Sequence, residues 1–102
     1  MAIVQYSLEI TNLMYYVYLL KSKQNGHLYT GSANDLKKRL AEHASGKSGH
    51  TRKYLPYDLI YYEACLNKED ARAREKYLKS GMGKRYLKNR LRRFLISNER
   101  EE

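Results

Sequence analysis

The stretch from Met14 to Gly31 constrains this chain more than any other. Met14 to Leu20 is a run of apolar and aromatic residues, strand-forming and too short for an ordinary helix. A polar turn follows, and its Asn25-Gly26 pair tolerates the positive φ that tight hairpins need. Leu28 to Gly31 is then the return strand of a predicted hairpin. Alternation places Tyr16, Tyr18 and Leu20 on one face of the first strand, with Tyr15, Val17 and Leu19 on the other. On the return strand His27, Tyr29 and Gly31 share a face. The rest of the chain reads as support for this hairpin or as a basic surface around it.

Helical periodicity starts near Ala33–Asp35 and ends at Ser45-Gly46, where glycine is a natural stop. Leu36, Leu40 and Ala44 form its apolar stripe, and Arg39 and His43 lie four residues apart on the edge of that stripe. Lys38 and Glu42 point further round, towards solvent. Gly46 to Tyr54 is a Gly/Ser/basic loop containing Arg52 and Lys53. Leu59 to Cys65 reads as a third strand, with Tyr61, Glu63 and Cys65 opposing Ile60, Tyr62 and Ala64. A second helix is predicted from the capping signal at Asn67 and Asp70 to about Lys79. On it Glu75 falls on the apolar stripe defined by Ala71 and Leu78, and a carboxylate facing a core needs a cation, a metal or a water-filled cleft. Two readings stay open for it: a structural one, in which it pairs with a neighbour such as Arg72 or Arg74 or snorkels outward, and a functional one, in which it faces a metal or a cleft. A third helix is predicted over Lys84 to Ile96, with Leu87, Leu91, Phe94 and Leu95 inward and Lys88, Arg92 and Arg93 on a basic face. Residues 98–102 should fray.

The expected architecture is therefore α+β: a small three-stranded sheet flanked by three helices, in the order β-β-α-β-α-α. At 102 residues this is one domain. Its expected divisions are an N-terminal extension at 1–13, the domain proper at 14–96 and an acidic C-terminal tail at 97–102. No run of eighteen apolar residues exists, so no membrane partnership is expected. The N-terminus lacks a secretory pattern, and a single cysteine, Cys65, fits a reducing, cytoplasmic setting.

Formal charge is +9. Residues 21–54 carry eight Lys/Arg against two acids, and residues 66–98 carry eleven against three. Two basic blocks point to a polyanion held through its phosphates, with a merely solvating surface as the plainer alternative. Lys38, Arg52, Lys53, Lys88 and Arg92 are the residues expected to touch it. His27, His43 and His50 lack metal-ligand spacing, so a zinc centre is not expected. Gly81-Met-Gly83-Lys84 lacks the full spacing of a phosphate loop and reads as a helix-to-helix turn.

Five residues in order carry a resemblance. Tyr16-Val17-Tyr18 and Tyr29-Thr30-Gly31 lie on the paired strands; Arg39 follows ten residues after Tyr29 and His43 four later, and Glu75 lies on the helix after the third strand. In these positions the chain resembles the GIY-YIG nuclease superfamily, in its small single-domain branch, over roughly Met14 to Ile96. Tyr16 and Val17 stand where the first motif has glycine and isoleucine. The late asparagine of the family would map to Asn89, which the helical wheel puts opposite the core stripe.

The resemblance implies a divalent-metal-dependent endonuclease acting on DNA, with repair or recombination as the setting and RNA as a second polyanion. Mg²⁺ (or Mn²⁺) would bind Glu75 and a phosphate oxygen. Tyr29 would activate or position the attacking water, with Tyr18 hydrogen-bonded close by. Arg39 would hold the scissile phosphate, and His43 would relay a proton or orient the phosphate. The rival is a catalytically silent nucleic-acid-binding module of the same fold. With so small a domain, added specificity would come from a protein partner or a homodimer.

Overall fold

A computed structural model describes residues 13–101, with side chains described over 13–97. The N-terminal extension expected at 1–13 therefore lies, apart from Leu13, outside the described residues. Strands β1 (Tyr15–Ser22), β2 (Leu28–Ala33) and β3 (Tyr57–Cys65) form an antiparallel sheet in the order β2-β1-β3. Helix α1 (Leu36–Ala44) lies between β2 and β3 in sequence, and α2 (Lys68–Lys79), α3 (Gly81–Arg90) and α4 (Arg92–Glu101) follow. The α+β class and the antiparallel three-stranded sheet are as the sequence implies.

β1 is the central strand because it carries the longest apolar run: Val17, Tyr18, Leu19 and Leu20 are each 2% exposed or less. Its hairpin to β2 pairs Tyr18 with Gly31 and Leu20 with Tyr29. Gly26 supplies the positive φ of the turn, at 76°. On one face of the sheet Val17 and Leu19 pack with Ala71, Leu78 and Leu87 from α2 and α3. On the other face Leu20, Leu40 of α1 and Leu55 of the following loop line one depression.

α1 begins where Asp35 accepts the Lys38 backbone N–H and ends at Ser45, with Gly46 at φ 79° beyond it. Its packing differs from the wheel. His43, not Ala44, is the buried residue of this helix, because the ring is wedged against Tyr18 rather than lying on the rim. Glu42 is not a free solvent residue either, since it accepts a hydrogen bond from Arg39.

α2 opens at Asn67, whose side chain accepts the Asp70 N–H. Ser80 closes α2 and opens α3 at once: its N–H bonds Tyr77 O, while its Oγ accepts the Gly83 N–H. Gly81 to Gly83 is thus the first turn of α3 rather than a linking turn. A Cβ on Gly83 would strike the Tyr77 carbonyl oxygen and the Leu78 Cα, so only glycine lets α3 start this close to α2.

Two further departures have local causes. The single helix expected over Lys84 to Ile96 is two, interrupted at Leu91 (φ −107°, ψ 19°), and Phe94 is left 43% exposed. α4 continues to Glu101, since no glycine or proline follows Ile96 to stop it. In β3 a register shift opposite Leu19/Leu20 skips Ile60, which joins Tyr61 and Cys65 against the α2–α3 core instead of opposing them. Glu63 on β3 takes a bidentate hydrogen bond from Arg74, at 2.8 and 2.9 Å, and so ties this edge strand to α2.

Candidate active site

The residues singled out in the sequence gather around β2, one of the two edge strands, from both of its faces. On the α1 face, Tyr18 reaches across from β1 and lies over Gly31. A Cβ at Gly31 would sit 2.5 Å from the Tyr18 hydroxyl and 2.6 Å from its Cζ, so the bare glycine is what leaves room for the phenol. Tyr29, on the same face, packs against both partners, its ring centroid 6.4 Å from that of Tyr18 and 5.3 Å from that of His43.

Behind these rings runs a buried chain of polar groups. The Tyr18 hydroxyl is 2.7 Å from His43 Nε2, and His43 Nδ1 is 2.7 Å from Thr51 Oγ1. Burial holds the His43 ring below the ordinary imidazole range, with the Arg39 charge pushing the same way, so the ring is neutral near pH 7. One nitrogen then donates and the other accepts, which lets the chain pass a proton from end to end. Burial likewise raises Tyr18, the negative charge of Tyr29 or Glu75 would add to this, and a hydrogen bond from Arg39 opposes it. Tyr18 is accordingly a protonated phenol at neutral pH. Arg39, one turn before His43, carries its guanidinium at 3.0 Å from Glu42 Oε1 and is held fully charged, chiefly by that carboxylate and then by Tyr18.

Glu75 approaches β2 from the α2 face. Its Oε1 accepts from Ser32 Oγ at 2.5 Å, and its Oε2 accepts from Lys79 Nζ at 2.7 Å. Burial opposes its charge, but Lys79, Ser32 and the more distant Arg72 outweigh burial and hold the carboxyl below the usual range. Of the two arginines the sequence offers as partners, Arg74 serves Glu63, and Arg72 acts only through its field. The ion-pair reading of Glu75 is right in kind, with Lys79 as the partner.

Beside this arrangement, between the β1–β2 hairpin and α3–α4, lies a cavity of about 790 Å³. Lys21, Lys79, Lys84, Lys88 and Arg92 line it together with Tyr29, over a floor that includes Leu19, Leu78 and Leu87; no acidic side chain is among the described residues that line it. Lys88 and Arg92 are thus brought together, as expected. Lys38, Arg52 and Lys53 are exposed and lie elsewhere, on α1 and the loop after it. Asn89 is not brought to this region: it is exposed and lines a separate depression made by α3 and α4 residues, because it lies on the side of α3 opposite the buried Leu87.

Three participants escape a sequence reading. Thr51 lies in a loop with no local periodicity, and Ser32 is an unremarkable strand residue. Lys79 does have a signal, the Glu75-to-Lys79 spacing of four, which places the two side chains together on one helix face.

Comparison with known proteins bears on this geometry. Residues 14–92 match the family model described as the GIY-YIG catalytic domain. A UPF0213 protein of Clostridium perfringens (strain 13 / Type A) is 45% identical over 67 residues, covering 65% of this chain and 71% of the relative. A UPF0213 protein of Streptococcus pyogenes serotype M5 is 38% identical over 88 residues, covering 85% of this chain and 90% of the relative. The solution NMR structure of a UPF0213 protein from Bacillus halodurans is 38% identical, covers 72% of this chain and 81% of that one, and gives a TM-score of 0.46.

Proposed function

This chain belongs to the GIY-YIG catalytic-domain family, and from that premise we propose that it is a divalent-metal-dependent endonuclease hydrolysing DNA phosphodiester bonds. The observation that supports this best is the convergence of Tyr18, Tyr29, Arg39 and His43 with Glu75 on the two sides of one edge strand, next to a cationic cavity.

The donor chemistry at Glu75 fits a hard cation. The carboxylate is ionised at neutral pH, and the Ser32 hydroxyl beside it is a second oxygen. Among the described residues no group of three His, Cys, Asp or Glu gathers to cage a metal. A single carboxylate suits Mg²⁺ or Mn²⁺, since Mg²⁺ keeps most of its waters and takes phosphate as a further ligand. When bound, such an ion would polarise the phosphate and stabilise the departing oxygen.

The chain's own residues divide the remaining work. Arg39, permanently charged and half-exposed, holds the scissile phosphate and offsets its growing negative charge. Tyr29, packed against Tyr18 and His43, positions the attacking water. Tyr18 stays protonated and donates towards His43 or the reaction centre. His43 is 2% exposed behind Tyr18, so of its two expected roles the proton relay is the one its position permits; it acts through Tyr18 and does not touch phosphate. The cations of the cavity hold the flanking backbone.

A supercoiled-plasmid nicking assay with and without Mg²⁺ or Mn²⁺ tests the reading. Wild type should nick only with metal, and Glu75→Ala and Tyr29→Phe should abolish nicking while keeping most DNA binding. A wild type that binds DNA yet cuts no form of it, and that both variants match, would leave the silent binding module in its place.

A further inference from the structure

Both oxygens of Glu75 are already taken. Ser32 Oγ holds Oε1 and Lys79 Nζ holds Oε2. Each oxygen keeps a second lone pair, but a divalent cation at Oε2 would sit beside the Lys79 ammonium, and the two positive charges repel. The Ser32 hydroxyl is uncharged, so it does not oppose a cation and can stay on Oε1. Lys79 is the last residue of α2, on a flexible four-carbon stem, with its side chain 53% exposed. Ion pairs of that exposure, four residues apart on a helix, are weak and readily exchanged. Lys79 is therefore the partner that gives way.

Its ammonium has somewhere to go. Lys79 lines the 790 Å³ cavity alongside Lys84, Lys88 and Arg92, with no carboxylate among the described residues that line it. Lys84, Lys88 and Arg92 give this cavity a positive field, and among the described residues Glu75 is the carboxylate that Lys79 pairs with. A phosphodiester entering the cavity offers a second anion to the same flexible side chain.

We propose that Lys79 is a latch coupling nucleic-acid binding to metal binding: closed on Glu75 in the free protein, and drawn onto a substrate phosphate when the cavity fills, which frees Glu75 Oε2 for the divalent cation. This rests on the nuclease reading for the identity of the two ligands. It also gives Lys79 a purpose in the free protein, where a part-buried carboxylate facing β2 would otherwise stand uncompensated. Linkage makes the effect reciprocal, so metal must tighten nucleic-acid binding by the same factor that nucleic acid tightens metal binding.

Two measurements on the full chain test the latch, with thermal melts as a folding control. Mn²⁺ binding to the protein alone, followed by the electron paramagnetic resonance signal of the free ion, should be up to about fivefold tighter in Lys79→Met than in wild type, the strength of an exposed pair. Glu75→Gln should lose that binding. In the second arm, affinity for a fluorescein-labelled oligonucleotide is measured at constant ionic strength with Ca²⁺ or with EDTA. The Ca²⁺-dependent tightening should shrink in Lys79→Met by the same factor by which its Mn²⁺ binding improved, because the two arms close one thermodynamic cycle. Lys79→Arg, which keeps the charge, should behave as wild type in both arms. Unchanged Mn²⁺ affinity in Lys79→Met, an unchanged Ca²⁺ response, or Mn²⁺ binding that survives Glu75→Gln would each overturn the latch. The outcomes separate from those of the nuclease reading. Normal metal-dependent nicking with an unaltered cycle in Lys79→Met removes the latch alone; a matched cycle in a protein that never cuts removes the nuclease and supports the latch.

Discussion

Replacing Gly31 by alanine probes the packing that sets the two tyrosines. Gly31 does not have the positive φ of Gly26 and Gly46, so its backbone accepts a side chain without strain. Space is what forbids it. The new Cβ would lie 2.5 Å from the Tyr18 hydroxyl, 2.6 Å from Cζ and 3.1 Å from Tyr29 Cε1, where ordinary contact begins at 3.4 Å. The Tyr18 phenol must then retreat by roughly 1 Å to restore contact distance. Tyr18 is only 1% exposed, and its hydroxyl is fixed on His43, so the retreat disturbs the packing of β1 against α1 and stretches a buried 2.7 Å hydrogen bond. Overpacking together with a damaged buried hydrogen bond gives about 2–4 kcal/mol. For a domain of this size that lowers the melting temperature by about 10–20 °C, read by circular dichroism. Nicking should fall by about a hundredfold at temperatures where the variant is still folded, because a displacement of this size spoils the alignment of reacting groups. Combining the change with Tyr18→Leu, which removes the colliding atoms, should cost less than the two single changes added together. If Gly31→Ala melts within about 3 °C of wild type and nicks at the same rate, the tyrosines are not placed by this contact.

Three further outcomes are expected. Thr51→Val keeps the shape of the side chain but leaves His43 Nδ1 without its partner, so thermal unfolding should show a loss of about 1–3 kcal/mol that Thr51→Ser largely restores; a Val variant as stable as wild type would refute it. The Arg74 guanidinium beside Glu63 holds that carboxyl below the usual range despite partial burial, so this contribution is complete above the unfolded carboxyl value of about 4.3 and is lost as pH falls through the lower folded value. Urea midpoints measured through that acid range should therefore fall less steeply in Arg74→Met than in wild type, and equal slopes would show that the pair contributes nothing. Lys88→Ala and Arg92→Ala should each weaken DNA binding across sequences and reduce the slope of log affinity against log salt by about one unit. A slope unchanged by both would take the α3–α4 side of the cavity out of the DNA path.

Features decided by neighbours in the chain are legible in the sequence. The β1–β2 hairpin follows from a short aromatic run and Asn25-Gly26, and the starts of α1 and α2 follow from Asp35 and Asn67, because turns and caps are made within a few residues. The inward direction of Glu75 follows too, since a helical wheel reports the angle of a side chain about its own axis. What a wheel cannot report is what stands opposite. That His43 is buried on Tyr18 with Thr51 behind it, that Ser32 donates to Glu75, and that Arg74 crosses to Glu63 all depend on which elements the sheet brings together. The same holds for the interruption at Leu91 and the displaced Ile60, which local periodicity carries straight through. The candidate site shows the division most clearly. Its tyrosines, arginine, histidine and glutamate are recognisable one by one along the chain, but they become one site only because β2 ends up as an edge strand, open to α1 on one face and to α2 on the other.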